Sequence, residues 1–374
     1  MTDHRIPLAR PWLGDAERAA LNEVLDSGIL SRGDCLRRFE AAMADLTGMR
    51  GGVGVNSGTV GLQIAMEAFG IGHSDEVITP AFTFVGTVNA IVRAQARPVL
   101  VDVEPDTLNL DPKSIRDAIT SRTRAILVVH LFGRPARMDD IMAVAREHEL
   151  IVIEDACEAI GARQAGQTAG GMADAGVFGF YPNKPVAAGE GGLIVADDVD
   201  VLLRCRQLRN QGLDTDTGTR HDTLPGMSAR LSELHAAIAL AQLERLEQSL
   251  DIRQQLAGRY MAQMNGHERI ELPPLPAAED RIAWFTFPIR IRQAERSTRD
   301  LLIEQMARAG IQCGIYFEPV HQLPFHRDRH DGRPLPVSED AGARNMALPL
   351  YPGLKETDID RVCDTLKGLL EETI

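Results

Sequence analysis

An α/β fold built on a large, mostly parallel sheet, with a small α+β domain at the C-terminal end, is what the sequence predicts, and three observations carry it. Short apolar runs alternate with amphipathic segments from about residue 52 to residue 196, the order found when helices cover a parallel sheet. The chain, at 374 residues, is long enough for two cores. Beyond residue 250 the alternation gives way to a mixed pattern of strand-like runs and helices. The expected division is therefore a large domain over 1–250 and a small domain over 251–374.

The first predicted helix spans 12–26, where Leu13, Ala16, Ala20, Leu21, Val24 and Leu25 recur at helical spacing and Gly28 closes the run. A second covers 35–47. A strand at 52–55 leads through Asn56, Ser57, Gly58 and Thr59 into a helix that reaches Gly70. A strand, a small polar turn and a helix start form an arrangement in which free backbone N–H groups and the helix dipole receive an anion. Ser or Thr at that place also serves as a plain N-cap, and the pattern alone does not choose between the two. Strands follow at 76–80, 98–103, 125–131 and 150–154, with helices at 86–95, 112–119 and 138–148.

The strand at 150–154 stops at Asp155. A carboxylate there could act as a base, pair with a cation, or cap a helix. Metal binding is disfavoured, because no His or Cys accompanies it at ligand spacing. Glu154 points to the opposite face of the pleat. Next, a strand at 177–181 and a turn at Pro182-Asn183 deliver Lys184, and a glycine-rich run at 189–192 opens a strand at 193–196. A lysine at the end of an apolar strand is a poor place for an ammonium, since burial favours the neutral amine, which is a nucleophile. An isolated loop lysine would carry no such meaning; the neighbours give this one its weight.

The remaining pattern is a helix at 199–209, an aperiodic segment at 213–223, and one long helix from 232 past Tyr260. Strands at 283–291 and 312–317 flank a helix at 297–308. A loop rich in His, Arg and Pro at 320–336 precedes a final helix from about 356. Net charge is −13, from 53 acidic and 40 basic residues, with no cluster of Lys and Arg. Nucleic-acid binding is therefore not expected. No apolar run approaches the roughly 20 residues of a membrane helix. The five scattered cysteines, without a C-x-x-C pair, and an N-terminus without a signal-peptide core predict a cytoplasmic protein.

Ligands of open α/β sheets sit at the carboxyl ends of the strands. Ser57, Thr59, Phe84, Asp155 and Lys184 all fall at or just past such ends. Pyridoxal 5'-phosphate (PLP) uses this set: a lysine for its carbonyl carbon, a carboxylate for the pyridine nitrogen, a helix N-terminus for the phosphate and an aromatic for the ring face. The nicotinamide alternative lacks its G-x-G-x-x-G, and no P-loop is present.

Segments along nearly the whole chain then resemble one family. They are I-P-L-A-R-P at 6–11, S-G-T at 57–59, D-E-V-I-T-P-A-F-T-F-V at 75–85, E-D-A-C-E-A-I-G-A at 154–162, F-Y-P-N-K at 180–184 with G-E-G-G at 189–192, L-R-N-Q-G at 208–212, E-L-H-A-A-I at 233–238 and P-V-H at 319–321. They are similar to the DegT/StrS family of PLP-dependent aminotransferases, most of which act on nucleotide-linked keto sugars in deoxyamino-sugar and polysaccharide biosynthesis. The resemblance implies the aspartate-aminotransferase fold (fold type I) and a homodimer with shared active sites.

It also implies roles. Lys184 forms the Schiff base and shuttles the proton, Asp155 pairs with the pyridine nitrogen, Phe84 stacks on the ring, and Gly58 and Thr59 hold the phosphate. Glu158 stands where many members place a Gln against the phenolic oxygen; a solvated helix residue is its plain alternative. Gly179 replaces a frequent phosphate-binding Ser, and Ser228 replaces the Asn lent by the partner subunit. Arg230 is a candidate for the donor's carboxylate or a surface salt bridge, and His321 matches a position near the substrate mouth. The implied reaction moves an amino group from L-glutamate or glutamine to a nucleotide-linked 3- or 4-keto-deoxysugar. The rival readings are a PLP-dependent sugar dehydratase, whose branches typically replace the lysine with His, and a non-catalytic regulatory or sensor member. Lys184 argues against the first, and Lys184 together with Asp155 against the second. Loops 29–34, 213–224 and 320–336 are expected to set substrate specificity.

Overall fold

In the computed structural model, which describes residues 5–213 and 224–372, nine strands form in the first part of the chain, seven of them from apolar runs that are buried. They are β1 (Gly51–Val55), β2 (Glu76–Pro80), β3 (Arg97–Val101), β4 (Thr123–Val129), β5 (Ile151–Asp155), the short hairpin β6 (Arg163–Gln164) and β7 (Gln167–Thr168), β8 (Ala175–Gly179) and β9 (Gly192–Ala196). Seven of them make one sheet in the order β1-β9-β8-β5-β4-β2-β3. Neighbours from β8 to β3 pair in parallel, and β9 runs antiparallel to both β1 and β8. Strands buried on both faces read as continuous apolar runs, which is why this part of the sheet was legible.

Helices α1 (Asp15–Ser27), α2 (Asp34–Thr47), α3 (Gly58–Ala68), α4 (Val85–Arg93), α5 (Pro112–Ala118), α6 (Met138–Glu147) and α7 (Val199–Leu208) accompany the sheet. After them come α8 (Glu233–Leu243), α9 (Leu246–Met264), α10 (Arg296–Arg308), α11 (Pro324–Arg327), α12 (Pro336–Arg344) and α13 (Glu356–Glu372). The single long helix expected from 232 past Tyr260 is thus broken. Arg245, at φ −116° and ψ 19°, leaves the helical region. Its guanidinium reaches Glu17 and the Trp12 carbonyl, and Gln242 donates to the same carbonyl at 2.7 Å, so both residues tie α1 to the break.

A second, three-stranded antiparallel sheet has the order β10 (Ile270–Glu271), β11 (Phe287–Ile291), β12 (Asn345–Leu348). Only the last five residues of the expected strand at 283–291 are paired in it. The expected strand at 312–317 does not form. Its flank makes only isolated bridges, Ile311 to Ile6 and Gly314 to Ala347, and the four-residue β12 takes the sheet position instead. The loop expected at 320–336 contains α11. The two cores meet along α9: Leu246 and Leu250 pack with Phe178 and Phe180, while Leu256, Ala257, Tyr260 and Met264 pack with Ile289, Ile291 and Ile359. Ile6, from the N-terminal end, lies in this second core. Among the described residues no helix is long and apolar enough to cross a membrane.

The glycine-rich run at 189–192 follows from a close approach. β8 and β9 are neighbours, and Phe180 N–H donates to the Gly191 carbonyl at 2.9 Å while Ala188 N–H donates to Phe180 O at 2.9 Å. A Cβ at Gly192 would stand 2.5 Å from the carbonyl carbon and oxygen of Ser57 and 2.7 Å from Gly58 N, all backbone atoms that cannot swing aside. Gly192→Ala is therefore expected to push the start of α3 off the sheet and destabilise the protein by about 1–3 kcal/mol in denaturant unfolding. Gly258, in α9 with nothing within 4 Å of its Cβ position, is the control, and alanine there stabilises by about 0.5–1 kcal/mol. Equal effects at the two sites would refute the close-approach account.

Candidate active site

Asp155 is the last residue of β5, and its carboxylate is buried, at 6% exposure. Thr87, in the first turn of α4, donates its hydroxyl to Asp155 Oδ2 at 2.7 Å, and Cys157 N–H donates to Oδ1 at 3.2 Å. No helix follows β5, so the capping alternative for Asp155 falls away. Glu154 does point to the other face. There His130 Nε2 lies 2.7 Å from its Oε2, and the N–H groups of Gly170 and Met172 donate to it, each at 2.7 Å. Ala136 N–H donates to His130 Nδ1, so the imidazole proton sits on Nε2 and is given to Glu154. This buried pair pins the strand end from which Asp155 projects.

Lys184 follows β8 in a turn closed by its own N–H on the Tyr181 carbonyl at 2.9 Å. Its side chain is only 15% exposed, with Nζ 3.6 Å from Glu158 Oε1 and 4.1 Å from the centroid of the Phe285 ring. Carboxylate and ring face both favour positive charge at that nitrogen. Glu158 is buried at 6% exposure and accepts the Phe132 N–H at 2.8 Å, so it is not a solvated helix residue. Burial pushes its pKa above the ordinary value, opposed by Lys184 and by the Phe132 N–H.

At the start of α3 Ser57 is an N-cap, its hydroxyl accepting the Val60 N–H at 3.2 Å. The same turn, with Gly58 and Thr59, lines the cavity, so the cap leaves the helix N-terminus open to it. Glycine is required at 58, where a Cβ would lie 2.6 Å from Cys157 Sγ. The same sulfur stands 3.2 Å from the Cβ position of Gly179, so the thiol occupies the space into which a side chain at 179 would grow. Phe84, the N-cap of α4, is 56% exposed, an open aromatic face on the cavity.

These groups surround one cavity of about 430 Å³. Its far wall comes from the second half of the chain: Phe285, Ile315, Tyr316 and Phe317. Tyr316 stacks on Phe317 at 5.0 Å and on Phe285 at 5.6 Å, and its hydroxyl receives Asn183 Nδ2 at 3.4 Å. Burial pushes the Tyr316 phenol up, which keeps it protonated. Thr87, Phe285, Tyr316 and Phe317 were not foreseen from the sequence. Tyr316 and Phe317 lay in the run read as a strand, and the paired aromatics there were the available signal.

Three expected residues stay outside the cavity formed by one chain. Ser228 is exposed and accepts from Arg230 Nη2 at 2.8 Å; Arg230 Nη1 donates to Asn210 Oδ1 at 2.9 Å. The surface salt bridge considered for Arg230 is thus not seen among the described residues. His321 is buried, its Nε2 3.1 Å from Glu339 Oε1 and its ring 5.2 Å from that of His330, and burial lowers its pKa. It does not reach the mouth. Loop 213–224 lies, except for its two ends, outside the described residues.

The residues present fit PLP. An open aromatic face, a buried carboxylate held by two donors, a helix N-terminus and a single lysine converge on one space of suitable size. Comparison with known proteins agrees. Residues 11–367 match the model of the DegT/DnrJ/EryC1/StrS aminotransferase family. The chain is 38% identical over 371 residues to the GDP-perosamine synthase of Caulobacter vibrioides, covering 98% of each. Among solved structures it is similar to the aminotransferase TlmJ of Streptoalloteichus hindustanus, with a TM-score of 0.93 and 30% identity over 99% of this chain and 100% of that one. It is similar also to S. venezuelae DesV, solved with a ketimine intermediate, with a TM-score of 0.90 and 34% identity over 98% and 99% of the two chains.

The raised pKa of Glu158 has a sign that can be checked in the cofactor-free protein. Between the ordinary 4.5 and the raised value, the folded chain keeps a proton that the unfolded chain has released. Stability from this group therefore falls as pH rises through that window and is lost above it. Wild type should lose unfolding free energy relative to Glu158→Gln as pH is raised from 4.5. Parallel stability curves for the two would show that Glu158 is not desolvated as described.

Proposed function

This chain belongs to the DegT/DnrJ/EryC1/StrS aminotransferase family and is a PLP-dependent sugar aminotransferase, and on that premise we propose that L-glutamate or glutamine is its amino donor and a nucleotide-linked 3- or 4-keto-deoxysugar its acceptor. The observation that carries the reading is the meeting of Lys184 and Asp155 in one cavity beside the open ring of Phe84. The Caulobacter relative, named for a GDP-linked product, supports a nucleotide-linked acceptor.

When bound, the pyridoxal ring supplies an electron sink and a carbonyl that exchanges with amines. On this reading Lys184 would hold the carbonyl carbon and would serve as the general acid and base that moves the proton between donor and acceptor carbons. Asp155, fixed by Thr87 and by the Cys157 N–H, keeps the ring nitrogen protonated. The α3 N-terminus at Gly58 and Thr59 takes the phosphate. Phe84 would cover one ring face, and Glu158, beside the lysine nitrogen, would meet the phenolic oxygen.

The donor's carboxylate and a nucleotide's diphosphate are anionic, whereas among the described residues the lining of the one-chain cavity includes Asp155, Glu158 and Glu190 against one cation, Lys184. That imbalance supports a homodimer in which Ser228 and Arg230 of a second copy complete the site. Arg230, whose bonds among the described residues go to neutral groups, is suited to the task. The contacts of α9, which pass from one core to the other along its length, support a small domain that begins near residue 251. Cys35, Cys157, Cys205, Cys313 and Cys363 are free thiols, which supports a reducing cytoplasmic setting.

The test is spectroscopic. PLP-loaded protein should show the visible band of a lysine-bound cofactor; glutamate should convert it to the amine form, and a keto-sugar nucleotide should restore it. Lys184→Ala is expected to slow the first conversion at least ~100-fold. A spectrum indifferent to glutamate and glutamine would reject the donor, and an undiminished rate in Lys184→Ala would reject the lysine's role.

A further inference from the structure

Arg253 has no part in the cavity, yet it is a charge buried to 3% exposure in α9, at the seam between the two cores. Burial alone lowers its pKa to about 10, with no acidic neighbour opposing the shift. In place of a carboxylate it holds three main-chain carbonyls: Nη1 donates to Trp284 O at 3.1 Å, Phe285 O at 3.4 Å and Leu350 O at 3.2 Å. A buried guanidinium on carbonyls only is a costly arrangement, and what those carbonyls lead to gives it a use.

From Phe285 a line of hydrogen bonds runs into the site, every donor pointing the same way. Phe285 N–H donates to Phe132 O at 3.2 Å. Phe132 N–H donates to Glu158 Oε2 at 2.8 Å, and the other oxygen of Glu158 is the one 3.6 Å from Lys184 Nζ. Trp284 O and Phe285 N–H share one peptide group, which the buried cation polarises toward Phe132 O. Phe132 accepts and donates through two peptide groups joined at its Cα, so its link to Glu158 is one of position. Two residues on the line's path, Phe132 at φ 57° and Trp284 at φ 48°, sit in the left-handed region, so the surroundings must hold them there. Trp284 is further held by its Nε1 on Gln254 Oε1 at 2.7 Å, one residue along α9 from Arg253. The ring of Phe285 itself lies over the Lys184 nitrogen.

We propose that Arg253 is a positioning residue of the aminotransferase site, fixing the backbone at Trp284 and Phe285, and through it that of Phe132, so that the Glu158 carboxylate and the Phe285 ring are held against Lys184. The inference rests on the role given to Lys184 above. The Phe132 N–H favours ionised Glu158. Slack in the line lets Glu158 take up a proton, and a neutral Glu158 no longer offsets positive charge beside it. The other titratable groups whose charges reach this corner are Asp155, Cys157 and Tyr316.

The experiment uses PLP-loaded holoenzyme and reads the pH midpoint of the lysine-bound visible band, with thermal unfolding alongside. Arg253→Met is expected to move the midpoint to lower pH by at least about half a unit, a roughly threefold change in proton affinity. Arg253→Lys, which keeps a cation with fewer donors, should lie between Arg253→Met and wild type. Tyr260→Phe is the structural control: it removes a buried donor to Pro349 O, 2.9 Å away, from the same helix, and should lower the melting temperature without moving the midpoint. Arg253→Met with a lowered melting temperature and an unmoved midpoint overturns the proposal. If Arg253→Met does not fold, Arg253→Lys decides by the same criterion. A wild-type holoenzyme without the band overturns instead the role of Lys184, and the inference with it.

Discussion

An ammonium group that is largely buried must have its charge answered, and at Lys184 that requirement organises much of the molecule. The answer comes from three directions. Glu158 approaches from the turn after β5, Phe285 lays its ring over the nitrogen from the far side of α9, and Asp155 contributes a second carboxylate nearby. Each of these needs its own support, because a buried carboxylate without donors is as unfavourable as a buried amine without acceptors. Thr87 and the Cys157 N–H serve Asp155, the Phe132 N–H serves Glu158, and the His130–Glu154 pair fixes the strand beneath both.

Backbone packing is the second constraint, and it explains where glycines stand. The start of α3, the end of β8 and the start of β9 come together so closely that Gly58, Gly179 and Gly192 have little or no room for a Cβ. The helix N-terminus can then face the cavity directly, where its first N–H groups lack intrahelical partners. Cys157 fills the remaining space with a thiol that burial keeps protonated. Gly179, unexpected at that position from the resemblance, is thus matched by a neighbour that already occupies its space.

How much was legible varied with the range of the interaction. The parallel sheet, Asp155 at the end of β5 and Lys184 past the end of β8 were readable, because a strand buried on both faces writes itself as an apolar run and a charged residue marks its end. The second half was read less well. The 312–317 run has the composition of a strand but only one isolated bridge, Gly314 to Ala347, and the short β12 has too few residues to announce itself. The break between α8 and α9 was hidden because helical periodicity resumes on its far side, while its fixing contacts lie on α1, more than two hundred residues earlier.

The sequence by itself determined the class of fold, the family and the cofactor, and it singled out Lys184 and Asp155, which line one cavity, since each follows from local pattern or short motif. The tertiary structure alone decided what surrounds them. Thr87 meets Asp155 across 68 residues and Asn183 meets Tyr316 across 133, pairings that no local periodicity encodes. It also decided that His321 lies against Glu339 rather than at the mouth, and that Ser228 and Arg230 lie outside the cavity of their own chain. The physical reason is the same in each case: hydrogen bonds and ring contacts depend on position to within a fraction of an ångström, and position is set by the packing of whole elements rather than by the residues that use it.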